Sequence, residues 1–203
     1  SKSYALEKPW GKGERRIPPS SRHLANVLRP IRRADGTEVL AVHGVIYSNS
    51  ARGRLYLFEP LQKRPYRVIE AQRGVGELRV ADLDGDGNEE IVTGSTSMIQ
   101  DAHVSVFGIG DGSQQSFDIS RLRGRIDGFG YRVAQPEIVT DGNEQRLLVL
   151  FGSKIFLLPP DLDIDPAQVA VVSNQFSYND MWRPAGTNII VLASAQSGGS
   201  CVN

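Results

Sequence analysis

The chain has 203 residues, of which 40% are hydrophobic, and it carries 23 basic and 23 acidic residues. A neutral chain lacks the positive field expected of a nucleic-acid-binding protein, and no apolar run approaches the roughly 20 residues that a membrane-spanning helix needs. We therefore expect a protein with no nucleic-acid partner and no membrane span.

The first segment, residues 1–21, is predicted to be an N-terminal arm. Residues 1–20 contain three prolines, two glycines and five basic residues without hydrophobic periodicity. From residue 22 to residue 203, short apolar runs rich in Val, Ile, Leu, Tyr and Phe alternate with Gly, Pro, Asn and Asp, which is typical of strands and turns. No amphipathic helix is evident. The sequence predicts an all-β domain over 22–203.

A glycine-containing turn followed by an apolar strand occurs four times in this domain. The aligned glycines are Gly36, Gly87, Gly142 and Gly186, so the spacings are 51, 55 and 44 residues. A period near 50 that contains only strands indicates the blades of a β-propeller. An unrelated all-β sandwich is the alternative, and it would not require such regular spacing.

Each repeat is predicted to hold four strands, A to D from the hub outward, with strand B after the glycine turn. Strand A is predicted at 26–31, 77–82, 133–139 and 179–183, strand C at 54–58, 103–107 and 154–158, and strand D at 66–69, 115–119 and 168–172.

The fourth blade contains only its first two strands, because strand B ends near Ala193 and strand C would begin near Asn203. Three and a half blades are fewer than the about four to eight that close a propeller. The sequence is therefore interpreted as a fragment of a larger ring, completed by further residues of the same chain or by a cleaved partner chain.

The second repeat has an acidic turn that is predicted to bind one Ca²⁺ ion. Carboxylates alternate at the first, third and fifth positions of a tight loop, glycine at the sixth permits the sharp turn, and the seventh offers a backbone carbonyl. A further carboxylate follows at the ninth position. Without a cation, this many neighbouring carboxylates would repel one another. The predicted ligands are Asp82, Asp84, Asp86, the Asn88 carbonyl and Glu90.

This loop differs from an EF-hand, which has a bidentate Glu at position twelve between two helices, whereas Thr93 stands there and the flanks are strand-like. The string resembles the calcium hairpin of FG-GAP (VCBS-like) repeats, found in integrin α-subunit propellers, fungal propeller lectins and propeller polysaccharide lyases. Residues 129–134 also resemble the opening of such a blade. The resemblance implies a propeller in which the ion stabilises the A–B hairpin and ligands bind on the opposite face.

The other turns are not expected to bind metal. The equivalent turns at Asp35, Asp141 and Ala185 lack the set of carboxylates. Acidic residues also alternate over 161–165, but Pro166 stands where the loop needs glycine, so this segment is interpreted as a solvated turn.

The face opposite the calcium loop is predicted to carry the ligand site. On the predicted strand order, all three histidines lie on or near that face, together with aromatic and amide side chains. The candidate catalytic residues are His43, His103, Tyr47 and Arg132, and the candidate substrate-binding residues are His23, Asn26, Tyr131, Asn179 and Trp182.

These groups suit β-elimination at a uronic acid. Arg or His would neutralise the carboxylate, and Tyr or His would remove the neighbouring proton and return one to the leaving oxygen. The first hypothesis is thus an extracellular propeller that acts on acidic polysaccharide, most simply a polysaccharide lyase. The alternative is a non-catalytic lectin or adhesion propeller. The unequal B–C loops, such as the long 45–52 segment, favour one asymmetric site over repeated lectin pockets.

Cysteine usage leaves the compartment open, because the single Cys201 could be a buried residue or half of a disulfide with a partner beyond Asn203. The calcium loop is the main argument for a secreted or periplasmic protein, since such loops suit millimolar extracellular calcium.

Overall fold

The computed structural model describes residues 23–46, 54–70, 75–97, 103–122, 132–173, 180–184, 186–187 and 189–193. In these ranges the chain forms strands and one 3-10 turn, Ile119–Arg121. No helix in the described ranges is long and apolar enough to cross a membrane. The predicted arm and Cys201 lie outside the described residues.

The first two repeats each form a four-stranded antiparallel sheet in which sequence neighbours pair. Blade 1 contains β1 (His23–Arg32), β2 (Glu38–Ile46), β3 (Arg54–Phe58) and β4 (Arg67–Glu70). Blade 2 contains β5 (Val75–Ala81), β6 (Glu90–Ser97), β7 (His103–Phe107) and β8 (Gln114–Asp118).

The third sheet is also four-stranded and the fourth repeat contributes a pair. A short strand, β9 (Arg132–Val133), pairs with β6 of blade 2. Blade 3 contains β10 (Gln135–Asp141), β11 (Glu144–Phe151), β12 (Lys154–Leu158) and β13 (Ala170–Ser173), and blade 4 contains β14 (Asp180–Trp182) and β15 (Val191–Ala193).

The predicted all-β fold of four-stranded propeller blades is confirmed. The three C strands lie where the repeat placed them, and the D strands differ by up to two residues at their ends. The predicted single strand over 133–139 is wrong in one respect. The strand is interrupted at Ala134, so that β9 pairs with blade 2 while β10 begins blade 3.

Neighbouring blades pack face to face through apolar side chains. The inner strands β1, β5, β10 and β14 lie beside one another in that order. Between blades 1 and 2, Leu55, Leu57 and Ile69 contact Ile91 and Phe107 in one buried cluster. A second cluster joins blades 2 and 3 and consists of Val92, Val104, Val106, Phe117, Ile119, Leu122, Ala134, Leu147, Val149, Phe151, Phe156, Leu158 and Leu162.

Blade 2 and the chain that enters blade 3 approach closely at Gly94 in β6. A β-carbon built at this position would overlap the carbonyl oxygen of Ala134 and lie 2.9 Å from Cδ of Pro136. Because both neighbours are backbone or a rigid ring, neither can move aside without shifting the blade. Gly94 is therefore required by packing between blades.

We expect Gly94→Ala to lower the free energy of unfolding by about 2 kcal/mol or more, because the added methyl group has no space. Urea denaturation measures the change. Lys63→Ala in an exposed turn is the control and should stay within about 0.5 kcal/mol of the wild type. Equal midpoints for Gly94→Ala and the wild type would contradict the close approach of the blades.

Candidate functional site

The acidic turn of blade 2 is the densest group of possible metal ligands among the described residues. One carboxylate oxygen from each of Asp82, Asp84 and Asp86 lies within 4.8 Å of the other two. Backbone N–H groups of the same turn orient these side chains: Gly85 and Gly87 donate to Asp82, at 2.8 and 3.1 Å. This arrangement leaves several hard oxygen ligands facing one centre, as Ca²⁺ requires.

Tight backbone curvature makes this arrangement possible. Gly85 and Gly87 have φ angles of +80° and +89°, which residues with a β-carbon rarely adopt. The carboxylates of Asp84 and Asp86 each accept a hydrogen bond from the backbone N–H of the residue two positions later. These bonds come from Asp86 N at 3.0 Å and from Asn88 N at 2.7 Å. The sequence thus specifies the turn through glycine position and Asp spacing together.

Glu90 lies beneath the turn, at the start of β6, and is only 7% exposed. Burial, together with the charges of Asp84, Asp86 and Asp82, raises the pKa of its carboxyl to about 7, although the 2.7 Å hydrogen bond from Leu83 N opposes the shift. A divalent cation at the turn would reverse this effect, because it favours the charged carboxylate. The residues present therefore fit a calcium ion, with Glu90 as a ligand or as the anchor of a bound water.

The acidic turn also joins the neighbouring blades, which the sequence did not reveal. On the blade 1 side, Arg32 N donates to a Glu89 carboxylate oxygen at 2.7 Å and Ala34 N donates to Asn88 Oδ1 at 3.0 Å. On the blade 3 side, Gln145 Nε2 donates to the Asp82 carbonyl at 2.9 Å. The sequence repeat consists of glycine turns and apolar strands, and it carries no information about which polar side chains bond across blades. The partner of Gln145 or Asn88 in another blade was therefore not predictable.

These bonds place the A–B turns of three blades on one face, here called the turn face. It comprises the described A–B and C–D turns, residues 33–37, 59–66, 82–89, 108–113, 142–143, 159–169, 183–184, 186–187 and 189–190. The opposite ends of the strands form the far face, which contains the starts of the A and C strands and the ends of the B and D strands.

The predicted site residues are distributed unequally between the two faces. His23 opens β1 and His103 opens β7, so both belong to the far face. The backbones of Asn26 in β1 and His43 in β2 lie toward the far ends of their strands, where His43 pairs with Val27 and Leu55.

Of two further candidates, one lies at the far face and the other lies toward the turn face. Arg132 pairs with Ser97 at the far end of β6. Trp182 is 54% exposed but ends β14 beside the A–B turn, so its backbone lies toward the turn face. Tyr47, Tyr131 and Asn179 lie outside the described residues.

Comparison with known proteins identifies relatives of the whole sequence. The protein-family model described as the lambda-carrageenase β-propeller domain matches residues 1–203. A protein named Lambda-carrageenase from Pseudoalteromonas carrageenovora is 42% identical over 205 residues, and a protein of the same name from Pseudoalteromonas sp is 41% identical over 205 residues. Both alignments cover 100% of this chain and 21% of the relative, so the chain spans about a fifth of the length of these proteins. No solved structure matches the chain.

We expect the metal-free protein to lose stability as the pH rises from about 4.5 to about 7, because folded Glu90 keeps a proton that the unfolded chain releases. Urea denaturation in chelator across this range measures the effect. Glu90→Gln, which has no titrating group, should remove that part of the pH dependence. An identical pH profile in the variant would contradict the assignment to Glu90.

Proposed function

Since the chain belongs to the lambda-carrageenase β-propeller domain family, we propose that it forms part of the propeller of an extracellular enzyme that degrades an anionic polysaccharide. The rest of that enzyme, including the remaining blades, would lie in the same polypeptide, because the chain spans 21% of its relatives. Within this enzyme the propeller would bind the polymer on its far face. The separation of charge between the two faces is the observation that supports this orientation.

The turn face is strongly acidic. Its described turns contain ten acidic and four basic residues, a net charge of −6. The acidic residues are Asp35, Glu59, Asp82, Asp84, Asp86, Glu89, Asp111, Asp161, Asp163 and Asp165, and the basic residues are Arg33, Lys63, Arg64 and Arg183. One Ca²⁺ at the acidic turn would reduce this charge without reversing its sign.

The far strand ends have the opposite balance. The described strand ends and the 3-10 turn on this face contain four basic and three acidic residues, and one of the acidic residues, Glu70, forms a salt bridge with Arg54 at 3.0 Å. Arg121 in the 3-10 turn is exposed. The basic residues are Arg54, Arg121, Arg132 and Lys154, and the acidic residues are Glu70, Asp118 and Asp180.

A polyanion should therefore avoid the turn face and approach the far face, because like charges repel over about a Debye length, roughly 10 Å at moderate salt. The relatives are named for carrageenan, and the residues of the far face predict an acidic polysaccharide as ligand. Guanidinium groups bind the oxyanions of such a polymer with two parallel hydrogen bonds. The far face thus offers the chemistry that a sulfated or carboxylated polysaccharide needs.

We expect Arg121→Glu to weaken the binding of lambda-carrageenan by about three-fold or more at low salt, since the substitution changes the local charge by two units. Affinity electrophoresis in gels that contain the polymer measures the binding. Lys63→Glu makes the same charge change on the turn face and should bind like the wild type. Equal loss in both variants would show that net charge, and not the far face, governs binding.

We further propose that the acidic turn is a calcium hairpin of the FG-GAP type with a structural role. The support is the convergence of Asp82, Asp84 and Asp86 and the contact of this turn with both neighbouring blades. When bound, Ca²⁺ would cross-link the ends of β5 and β6 and neutralise the mutual repulsion of the carboxylates in the turn. A protein that depends on such a site suits the extracellular compartment, where calcium is millimolar.

Calcium should raise the melting temperature of the wild type and leave that of Asp84→Ala nearly unchanged. A ligand at about 100 times its dissociation constant adds about 2.7 kcal/mol to folding. Differential scanning fluorimetry with and without chelator tests this. Asp163→Ala, in the alternating acidic turn for which no metal is predicted, is the control and should keep the wild-type response. A calcium response retained by Asp84→Ala would refute the site.

The reaction itself has two candidate forms. β-Elimination needs a proton beside a uronate carboxylate, with His43 or His103 as base, Arg132 as the neutralising cation and Tyr47 as a further acid or base. His103 and Arg132 favour this form, because both lie beside the far end of β6. A polymer without uronate would have to be cleaved by hydrolysis, with groups outside these candidates. In that case the propeller would act as a binding module, as in the lectin alternative.

The product distinguishes these forms. Elimination yields an unsaturated uronate that absorbs ultraviolet light, whereas hydrolysis yields a new reducing end without that absorbance. If His43 and His103 are catalytic, His43→Ala and His103→Ala should each lower the absorbance signal on a uronate polymer by about 10²-fold or more. Unchanged activity in both variants would eliminate the histidine mechanism and leave the propeller its binding role.

A further inference from the structure

One position of the inner A strand holds a charged residue in each of the first three blades. The B-strand residues that pair with this position are themselves equivalent, because each also pairs with the penultimate residue of its C strand. Since the A strands lie side by side around the propeller axis, we call it the hub position. The charged residues are Arg29, Arg79 and Glu137, which pair with Ala41, Val92 and Leu148.

Side chains at the hub position reach from one blade to the next. Arg79 Nε donates to Glu137 Oε2 at 3.0 Å, although the two residues belong to blades 2 and 3. The side chains of this pair are only 20% and 11% exposed. A guanidinium group at the hub position therefore extends toward the hub position of the following blade.

Arg29 resembles Arg79 in its local bonding but has a different neighbour. Nη1 of each arginine donates to the carbonyl of the preceding residue, at 3.1 Å for Arg29 and 3.3 Å for Arg79. Arg29 shares its side of β1 with Ile31, which is buried against blade 2. The hub position of blade 2 is Arg79, so a cation stands where blade 3 supplies the carboxylate of Glu137.

The charges at the hub position are therefore incompletely balanced. Two guanidinium groups and one carboxylate leave an excess of one positive charge over three adjacent strands. Arg29 is exposed, and no carboxylate among the described residues forms a salt bridge with it. Like charges on neighbouring strands repel, and an anion between them relieves the repulsion. Such an anion would stand to Arg29 as Glu137 stands to Arg79.

We propose that Arg29 binds an oxyanion in the central channel, between the A strands of blades 1 and 2. The ligand is a carboxylate, sulfate or phosphate group, because a guanidinium donates two parallel hydrogen bonds to a pair of oxygens on such a group. Arg79 keeps its bond to Glu137 and contributes positive charge from the adjacent strand. This site lies on the inner strands and uses none of the candidate residues of the far face.

Titration calorimetry of the full-length polypeptide with sodium sulfate tests the site, with sodium chloride holding the ionic strength constant. Arg29→Gln should weaken sulfate binding by about five-fold or more, because it removes a charged donor. Arg64→Gln removes an exposed arginine from the turn face and is the matched control, which should bind like the wild type. Wild-type affinity in Arg29→Gln, equal losses in both variants, or no sulfate binding at all would overturn the proposal.

Exchanging the charges of the neighbouring ion pair gives a second test. The double variant Arg79→Glu, Glu137→Arg keeps the net charge and the pairing of blades 2 and 3, but it places a carboxylate at the hub position that follows Arg29. Because this internal anion would occupy the site, sulfate affinity should fall as far as in Arg29→Gln. Wild-type sulfate affinity in the double variant would contradict the site. Arg29→Gln alters only an exposed side chain, so it tests the proposal even where the exchange disturbs folding.

Polymer binding identifies the source of the oxyanion. If Arg29→Gln also weakens the binding of lambda-carrageenan in affinity electrophoresis, an anionic group of the polymer occupies the site. If polymer binding is unchanged while sulfate binding is lost, the ligand is a free anion. Either result supports the site, because the sulfate titration does not involve the polymer. A full-length protein that binds no polysaccharide would refute the proposed function and leave the sulfate result standing.

Discussion

The packing of one four-stranded sheet against the next is the constraint on which the rest of the structure depends. Each blade has apolar side chains on both faces, since neighbouring residues of β3 such as Leu55 and Tyr56 are both buried but belong to different clusters. A sheet of this kind cannot expose either face without a large cost in hydration free energy. Stacking around an axis satisfies every blade in the same way, and it brings all A–B turns to one side.

The chemistry of the two faces follows from that stacking. Most residues of the described turns on one side are exposed, and acidic residues occupy many of these positions. In blade 2 three of them converge on a possible cation site. Hydrogen bonds through Asn88, Glu89 and Gln145 connect that turn to both adjacent blades. The conformation of the turn is therefore linked to the positions of three sheets. An ion pair between Arg79 and Glu137, at 3.0 Å, adds a polar contact between blades 2 and 3.

The repeat and the alternation of apolar residues were sufficient to predict the fold and most strand boundaries, because a strand between glycine turns leaves little choice of register. The break around Ala134 was not predicted, since residues 133–139 are predicted as one strand and only the presence of blade 2 divides them between two sheets. The Asp82, Asp84 and Asp86 cluster was predictable because all its members belong to one local turn. Gln145 and Glu89 were not, because their partners lie in other blades. Trp182 lies toward the turn face because it ends the A strand of blade 4, and the predicted strand order gives the same direction.

Separation of charge between the two faces gives the molecule an electric dipole moment along the propeller axis. A polyanionic matrix would exert a torque on such a molecule before any contact forms, so that encounters occur preferentially with the far face forward. With the orientation proposed above, the acidic turns would then raise the rate of productive association without contacting the polymer. Their effect would diminish as added salt shortens the distance over which the torque acts.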